Sequence, residues 1–155
     1  MDEIFTNLDE SLAQINMILG SRFVKPLREE AEVWKKNIQI LSDMVDEWLK
    51  CQRQTLYLRP IFAAKDIQKI LNEEAKQFTR VDTKFKTLMK KVDKAKNCLK
   101  FVKQFPVTLE ELKKNNTILD DCNKKLEDYM NQKRTEFPRF FFLSNDELID
   151  ILANS

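Results

Sequence analysis

Apolar residues recur along this chain at alternating steps of three and four, the spacing that lines one face of an α-helix. Phe5, Leu8, Leu12, Ile15 and Leu19 form a first stripe. It predicts a helix over 2–19, with Gly20 placed where a helix end often takes a left-handed residue. Pro26 suits the first turn of a second helix, because an N–H is dispensable there. Leu27, Ala31, Trp34, Ile38, Leu41, Val45 and Trp48 then hold the alternation without a miss. Such a 3.5-residue period keeps one seam against a partner helix, with Trp34 and Trp48 read as core. This helix is predicted over 26–56, ending at Tyr57-Leu58-Arg59-Pro60 because proline disfavours helix in the residue before it. Ile61 to Ala64 reads as an apolar connection, and 66–71 as a short helix closed by Asn72.

A third long helix is predicted over 74–104 from Phe78, Val81, Phe85, Leu88, Val92, Ala95, Leu99 and Val102, with Pro106 closing it. Thr108 with Glu111 has the spacing of a capping box that would launch a fourth helix over 109–135. Its seam is Leu112, Asn115, Leu119, Cys122, Leu126 and Tyr129, and it ends near Phe137-Pro138. Arg139 to Leu143, continuous and aromatic, reads as a short extended stretch, and the apolar residues from Phe137 to Leu143 are either buried by the bundle or left partly exposed as a docking patch. Ser144 with Glu147 is a second capping box opening a last helix over 145–153. The fold class is therefore all-α: an elongated bundle of long heptad-patterned helices with a short extended aromatic segment near the C-terminus. No Ser/Gly-rich linker interrupts the 155 residues, so 1–155 reads as one helical segment.

Composition sharpens this picture by exclusion. One Gly and four Pro leave too little turn material for an all-β chain. With 43% apolar and 34% charged residues there is enough apolar mass for a core. The net charge of +2 points to neither nucleic acid nor membrane. No apolar run approaches the length needed to cross a bilayer, and the acidic start Met1-Asp2-Glu3 is unlike a signal peptide. These features suggest a soluble, intracellular protein.

Histidine is absent, which removes the commonest general base and metal ligand. Cys51, Cys98 and Cys122 stand far apart with no CxxC, so they read as reduced residues packed as small hydrophobes. A single glycine rules out both the GxxxxGK[ST] and GxGxxG phosphate loops. The carboxylates scatter along polar faces, and no catalytic, metal or cofactor site is expected in this segment. Lys84 to Lys103 carries eight lysines against Asp93. That stretch reads as a solvated face, an acidic-protein contact or a nucleic-acid or lipid site; no aromatic residue interleaves on its polar side to stack bases, which counts against nucleic acid.

Several strings resemble a known family. Ser21-Arg22-Phe23-Val24, Trp34, Asp46-Glu47-Trp48-Leu49, Cys51-Gln52-Arg53, Tyr57-Leu58 and Pro60-Ile61-Phe62 are similar to the linker region of dynein heavy chains. So is the stretch from Ile4 to Leu27. The longest match is the run from Lys133 through Thr135-Glu136-Phe137-Pro138-Arg139-Phe140-Phe141-Phe142-Leu143 to Leu148. The pattern is closer to axonemal than to cytoplasmic heavy chains. Thr55 stands where the family usually has tryptophan, and Arg59 where an acidic residue is common; Lys94 to Pro106 matches poorly.

The resemblance implies that the chain is part of a mechanical linker lying across an AAA+ ring of the same heavy chain. It would bend and straighten with ATP hydrolysis, moving cargo along microtubules in the cytoskeleton of a cilium or flagellum. ATP, magnesium and microtubule sites would lie in other parts of the parent, with no nucleic-acid or membrane partner. Candidate docking or hinge residues are Arg59, Pro60, Phe137, Pro138, Arg139, Phe140 and Phe142. The residues taken alone are also compatible with a free-standing helical scaffold or protein-interaction module.

Overall fold

The computed structural model describes residues 2–95, 97 and 101–153, and every described element is helical. The α-helices are α1 (Asp2–Gly20), α2 (Arg28–Ala63), α3 (Lys65–Ile70), α4 (Asn72–Ala95), α5 (Phe105–Glu136) and α6 (Asn145–Ala153). Short 3₁₀ turns occupy Lys25–Leu27, Val102–Gln104 and Pro138–Phe142. By packing density the chain divides into two compact units, Met1–Leu49 with Ala95–Leu112, and Lys50–Lys94 with Lys113–Ser155.

In the first unit the α1 stripe holds as read: Phe5, Leu8, Leu12, Ile15 and Leu19 are half-buried. Leu8 and Leu12 share a cleft with Ile38 and Ser42, so α1 runs alongside the first part of α2. Gly20 ends α1 without a positive φ, so the left-handed cap expected there does not form. The turn is made instead by i→i+3 bonds, Ser21 N–H to Ile18 O (3.1 Å) and Val24 N–H to Ser21 O (3.4 Å). It buries Val24 and leaves Phe23 exposed. Met44, Phe101, Phe105, Thr108, Leu109 and Leu112 are also buried in this unit. The α2 seam is covered less than its periodicity suggests. Trp48 is half-buried and Trp34 is 38% exposed, as befits a side chain too large to be closed off by a small core.

The second unit is packed from α3, α4, α6 and the later turns of α2 and α5. Cys51, Thr55, Leu58, Ile61 and Phe62 of α2 are buried, as are Ile67 of α3 and Ala75, Phe78, Val81, Phe85 and Leu88 of α4. From α5 come Leu119, Cys122, Leu126 and Met130, and from α6 Leu148 and Ile149. Phe62 stacks on Phe78 with ring centroids 5.3 Å apart. Lys50 Nζ bonds Asp120 (2.8 Å), joining α2 to α5, and Gln54 Nε2 donates to the same carboxylate. The Cys122 thiol donates to the Glu74 carbonyl (3.6 Å), joining α5 to α4. Helix α6 packs on α3.

Four boundaries differ from the sequence reading. Helix α2 runs through Pro60 to Ala63, because Leu58, Ile61 and Phe62 are buried on both sides of the proline. Burying such side chains contributes about 1.5–3 kcal/mol each, against about 3 kcal/mol for an internal proline. The break falls at Ala64, where ψ turns to 125° and the Gln68 amide caps the Phe62 carbonyl (2.7 Å). Asn72 opens α4 instead of closing α3, since the Ala75 N–H takes the Leu71 carbonyl (2.8 Å). Helix α4 ends at Ala95, one turn after its seam surfaces at Val92. Pro106 lies in the first turn of α5 and opens that helix, which leaves Thr108 buried within it instead of at a cap. The expected seam residue Leu99, with Lys96, Cys98 and Lys100, lies outside the described residues.

Leu126 is fully buried while its neighbour Lys124 is exposed. Leu126→Ala is therefore expected to cost about 2–5 kcal/mol by urea unfolding, and Lys124→Ala to stay within about 0.5 kcal/mol of wild type.

Candidate functional site

The candidate hinge and docking residues fall into two groups, both within the second unit. Arg59 and Pro60 lie inside α2. Lacking an N–H, Pro60 leaves the Leu56 carbonyl without its intrahelical donor. Neighbouring contacts hold this turn in place. Arg59 Nη2 bonds Asp82 Oδ1 of α4 at 2.7 Å, and Lys86 bonds the other oxygen of the same carboxylate. Thr55, one turn earlier, is 1% exposed and faces the Cys51 sulfur at 4.0 Å. A basic residue at 59 thus has its acid across the helix pair.

The second group is Phe137 to Phe142. The aromatic run is not extended as expected: Pro138–Phe142 winds as a 3₁₀ turn, and of the two expectations for its side chains the partly exposed one holds. Phe137 leaves the helical region at φ −130° and ψ 88°, and Pro138 then fixes the first turn of the new element. With three residues per turn, rings three apart eclipse, so Phe137 meets Phe140 at 5.5 Å. The Arg139 guanidinium lies 5.4 Å from the Phe140 ring and 5.9 Å from that of Phe137, a stacking worth about 0.5–1 kcal/mol at an exposed site. Phe141 and Phe142 point outward, 64% and 92% exposed. Of the candidates, Phe137, Arg139 and Phe140 form one cluster, and Arg59 with Pro60 form another.

Two residues that close this corner carry different sequence signals. The Ser144–Glu147 capping box forms as read: the carboxylate accepts the Ser144 N–H (2.8 Å), and the Glu147 N–H reaches the Ser144 hydroxyl (3.3 Å). That backbone bond to Ser144 holds the Glu147 carboxyl below its ordinary range. Arg134 lies within the string that resembles the family, but spacing assigns it no role. Its guanidinium donates to the Leu143 carbonyl (3.2 Å) and to Asn145 Oδ1 (2.7 Å), tying the last turn of α5 to the start of α6 across the aromatic turn. Its only hint is a position in the last helical turn, where arginine often binds carbonyls.

Cys51 and Cys122 are buried and unbridged, as expected; burial pushes the Cys122 thiol up to about 11, which makes it a poor nucleophile. Cys98 lies outside the described residues. Among the described residues no group of three His, Cys, Asp or Glu side chains could hold a metal ion, and no helix is long and apolar enough to cross a membrane.

Burial raises the Asp82 carboxyl, but its bonds to Lys86 and Arg59 outweigh this and leave it below the ordinary carboxylate range. The Lys50 bond lowers Asp120 likewise. With the folded values depressed, the unfolded chain binds protons more readily. The stability from these two groups is complete above the unfolded value of about 3.9 and is lost as pH falls through the lower folded values. The urea midpoint of wild type should drop more steeply below about pH 4 than that of Asp82→Asn. Pro60 is exposed, so Pro60→Ala restores a helical hydrogen bond with little loss of packing. Its expected effect is a gain on the order of 1–3 kcal/mol, read from the same unfolding curves.

Comparison with known proteins places this geometry. The family model described as "Dynein heavy chain, N-terminal region 2" matches residues 1–155. The chain is 44% identical over 154 residues to human dynein axonemal heavy chain 6, covering 99% of this chain and 4% of that protein. It is 41% identical over 155 residues to human dynein axonemal heavy chain 3, covering all of this chain and again 4% of the relative. To human dynein axonemal heavy chain 10 it is 38% identical over 158 residues, covering all of this chain and 3% of the relative. It thus spans only a few per cent of the length of the relatives it matches. A chain whose described elements are all helical, and which this model matches over its whole length, belongs to the dynein heavy chain family, within its N-terminal region 2.

Proposed function

We propose that this chain is part of the mechanical linker of an axonemal-type dynein heavy chain. In this role it carries the conformational change of an ATP-driven AAA+ ring to movement along microtubules, in the axoneme of a cilium or flagellum. The observation that carries the reading is the family match over the full 155 residues. The physical support is the length of α2 and α5, helices of 36 and 32 residues, the first weakened at Pro60. A lever needs stiffness between its ends. The segment itself does no chemistry in this reading. ATP and magnesium are held by other parts of the parent, and so is the microtubule contact; the partner of this segment is the ring of its own chain.

Flexing is concentrated where backbone bonds are fewest: at Pro60, which has no N–H to donate, and at Phe137–Pro138, where the chain leaves the α-helical region. Hydrogen exchange at these points should run faster than at the centres of α2 and α5.

The test breaks stiffness without touching the core. Lys124 is an exposed position in mid-α5. In the full heavy chain, Lys124→Gly costs the helix about 1 kcal/mol and Lys124→Pro about 3 kcal/mol. Microtubule gliding is expected to slow in that order, with Lys124→Ala at wild-type speed and ATP turnover retained in all three. Unchanged gliding in the proline variant, with the helix shown to be broken by circular dichroism, overturns the lever.

A further inference from the structure

We infer that the groove between α3 and α4 is a docking surface for an acidic polypeptide segment of a partner protein. The groove has a volume of about 720 Å³. Its walls are one face of each helix: Lys65 and Lys69 stand one turn apart on α3, and Asn72, Lys76 and Thr79 follow at helical spacing on α4, with Arg80 beside them. Four of the lining residues are basic and none is acidic.

The charges are not all used internally. Lys69 pairs with Asp66 (3.1 Å) and Lys76 with Glu73 (2.9 Å), each within its own helix. Lys65 and Arg80, at the two ends of the lining sequence, make no ion pair among the described residues. All four side chains are exposed and held on helical backbone. The groove therefore presents two uncompensated cations flanking two cations that are only partly neutralised, since exposed ion pairs contribute little and exchange partners readily. The lysine run that begins at Lys84 continues along α4 beyond the groove and does not line it; there Lys86 is drawn to Asp82.

The occupant follows from size and surface chemistry. Asn72 to Arg80 covers about 12 Å of helix axis at 1.5 Å per residue, the length of two turns. A partner with carboxylates on successive turns matches that spacing, and Asn72 and Thr79 supply polar side chains between the cations. A nucleic acid is disfavoured because no aromatic side chain lines the groove to stack a base. A bilayer is disfavoured because the groove is lined by basic and polar side chains with Ala75 alone apolar, too little apolar surface to enter lipid.

The test uses the whole 155-residue chain and three probes: a glutamate-rich helical peptide of about three turns, a single-stranded RNA oligonucleotide, and phosphatidylserine-containing vesicles. The peptide is expected to bind in preference to the other two, and to weaken steeply as salt rises. The double variant Lys65→Glu/Arg80→Glu should weaken it about tenfold. Lys90→Glu/Lys91→Glu, an equal charge change on the same helix outside the groove, should leave it within about twofold. Circular dichroism checks that both variants keep their helices. Equal weakening by the two variants, or preferred binding of RNA or vesicles, overturns the proposal.

Discussion

The second compact unit depends on apolar burial around a proline. A helix of 36 residues with Pro60 inside it is held together by Leu58, Ile61 and Phe62, whose side chains are buried in the turns before and after it. The proline removes one backbone bond and crowds the carbonyl one turn back, at a cost of about 3 kcal/mol. Three buried side chains together offset more than this. From that continuity the rest follows. Phe62 reaches the ring of Phe78, Arg59 reaches Asp82, and α3 starts at Lys65 in position for Ile67 to be buried and for α6 to pack on the same helix.

Electrostatics works around this core without carrying it. Asp82 and Asp120 each collect two donors from neighbouring turns, Arg59 with Lys86 and Lys50 with Gln54. Such partly exposed contacts fix the register between helices that apolar packing alone leaves free to slide, and each adds only about a kilocalorie per mole. The Arg134 fork acts likewise at the other end of the unit, setting where α6 begins relative to α5.

What the sequence revealed, and what it hid, has a physical pattern. The α1 stripe, the buried positions Phe78, Val81, Phe85 and Leu88, and Leu112, Leu119, Cys122 and Leu126 were legible because burial imposes helical spacing on side chains. The Ser144–Glu147 cap was legible because both of its partners are local. The prolines misled. Pro60 and Pro106 follow the same local rule, yet one lies within a helix and the other in the first turn of one. Arg139 to Leu143 reads as extended because a continuous apolar run has no period to separate a strand from the tight helical turn that Pro138–Phe142 makes. The strings that resemble dynein heavy chains gave the family correctly. Arg134, and the groove between α3 and α4, were invisible because each joins residues through backbone geometry that spacing alone does not supply.

The junctions between α2, α3 and α4 are a single residue each, Ala64 and Leu71. Both are closed by backbone bonds to neighbouring turns, and neither contains slack. At 3.6 residues per turn, one inserted amino acid would rotate everything beyond it by about 100°, carrying Ile67 or Phe78 from the interior to the solvent side. Chain length is therefore locked at this corner. Indels are expected to be purged there, and natural variation in length has to be absorbed elsewhere in the chain.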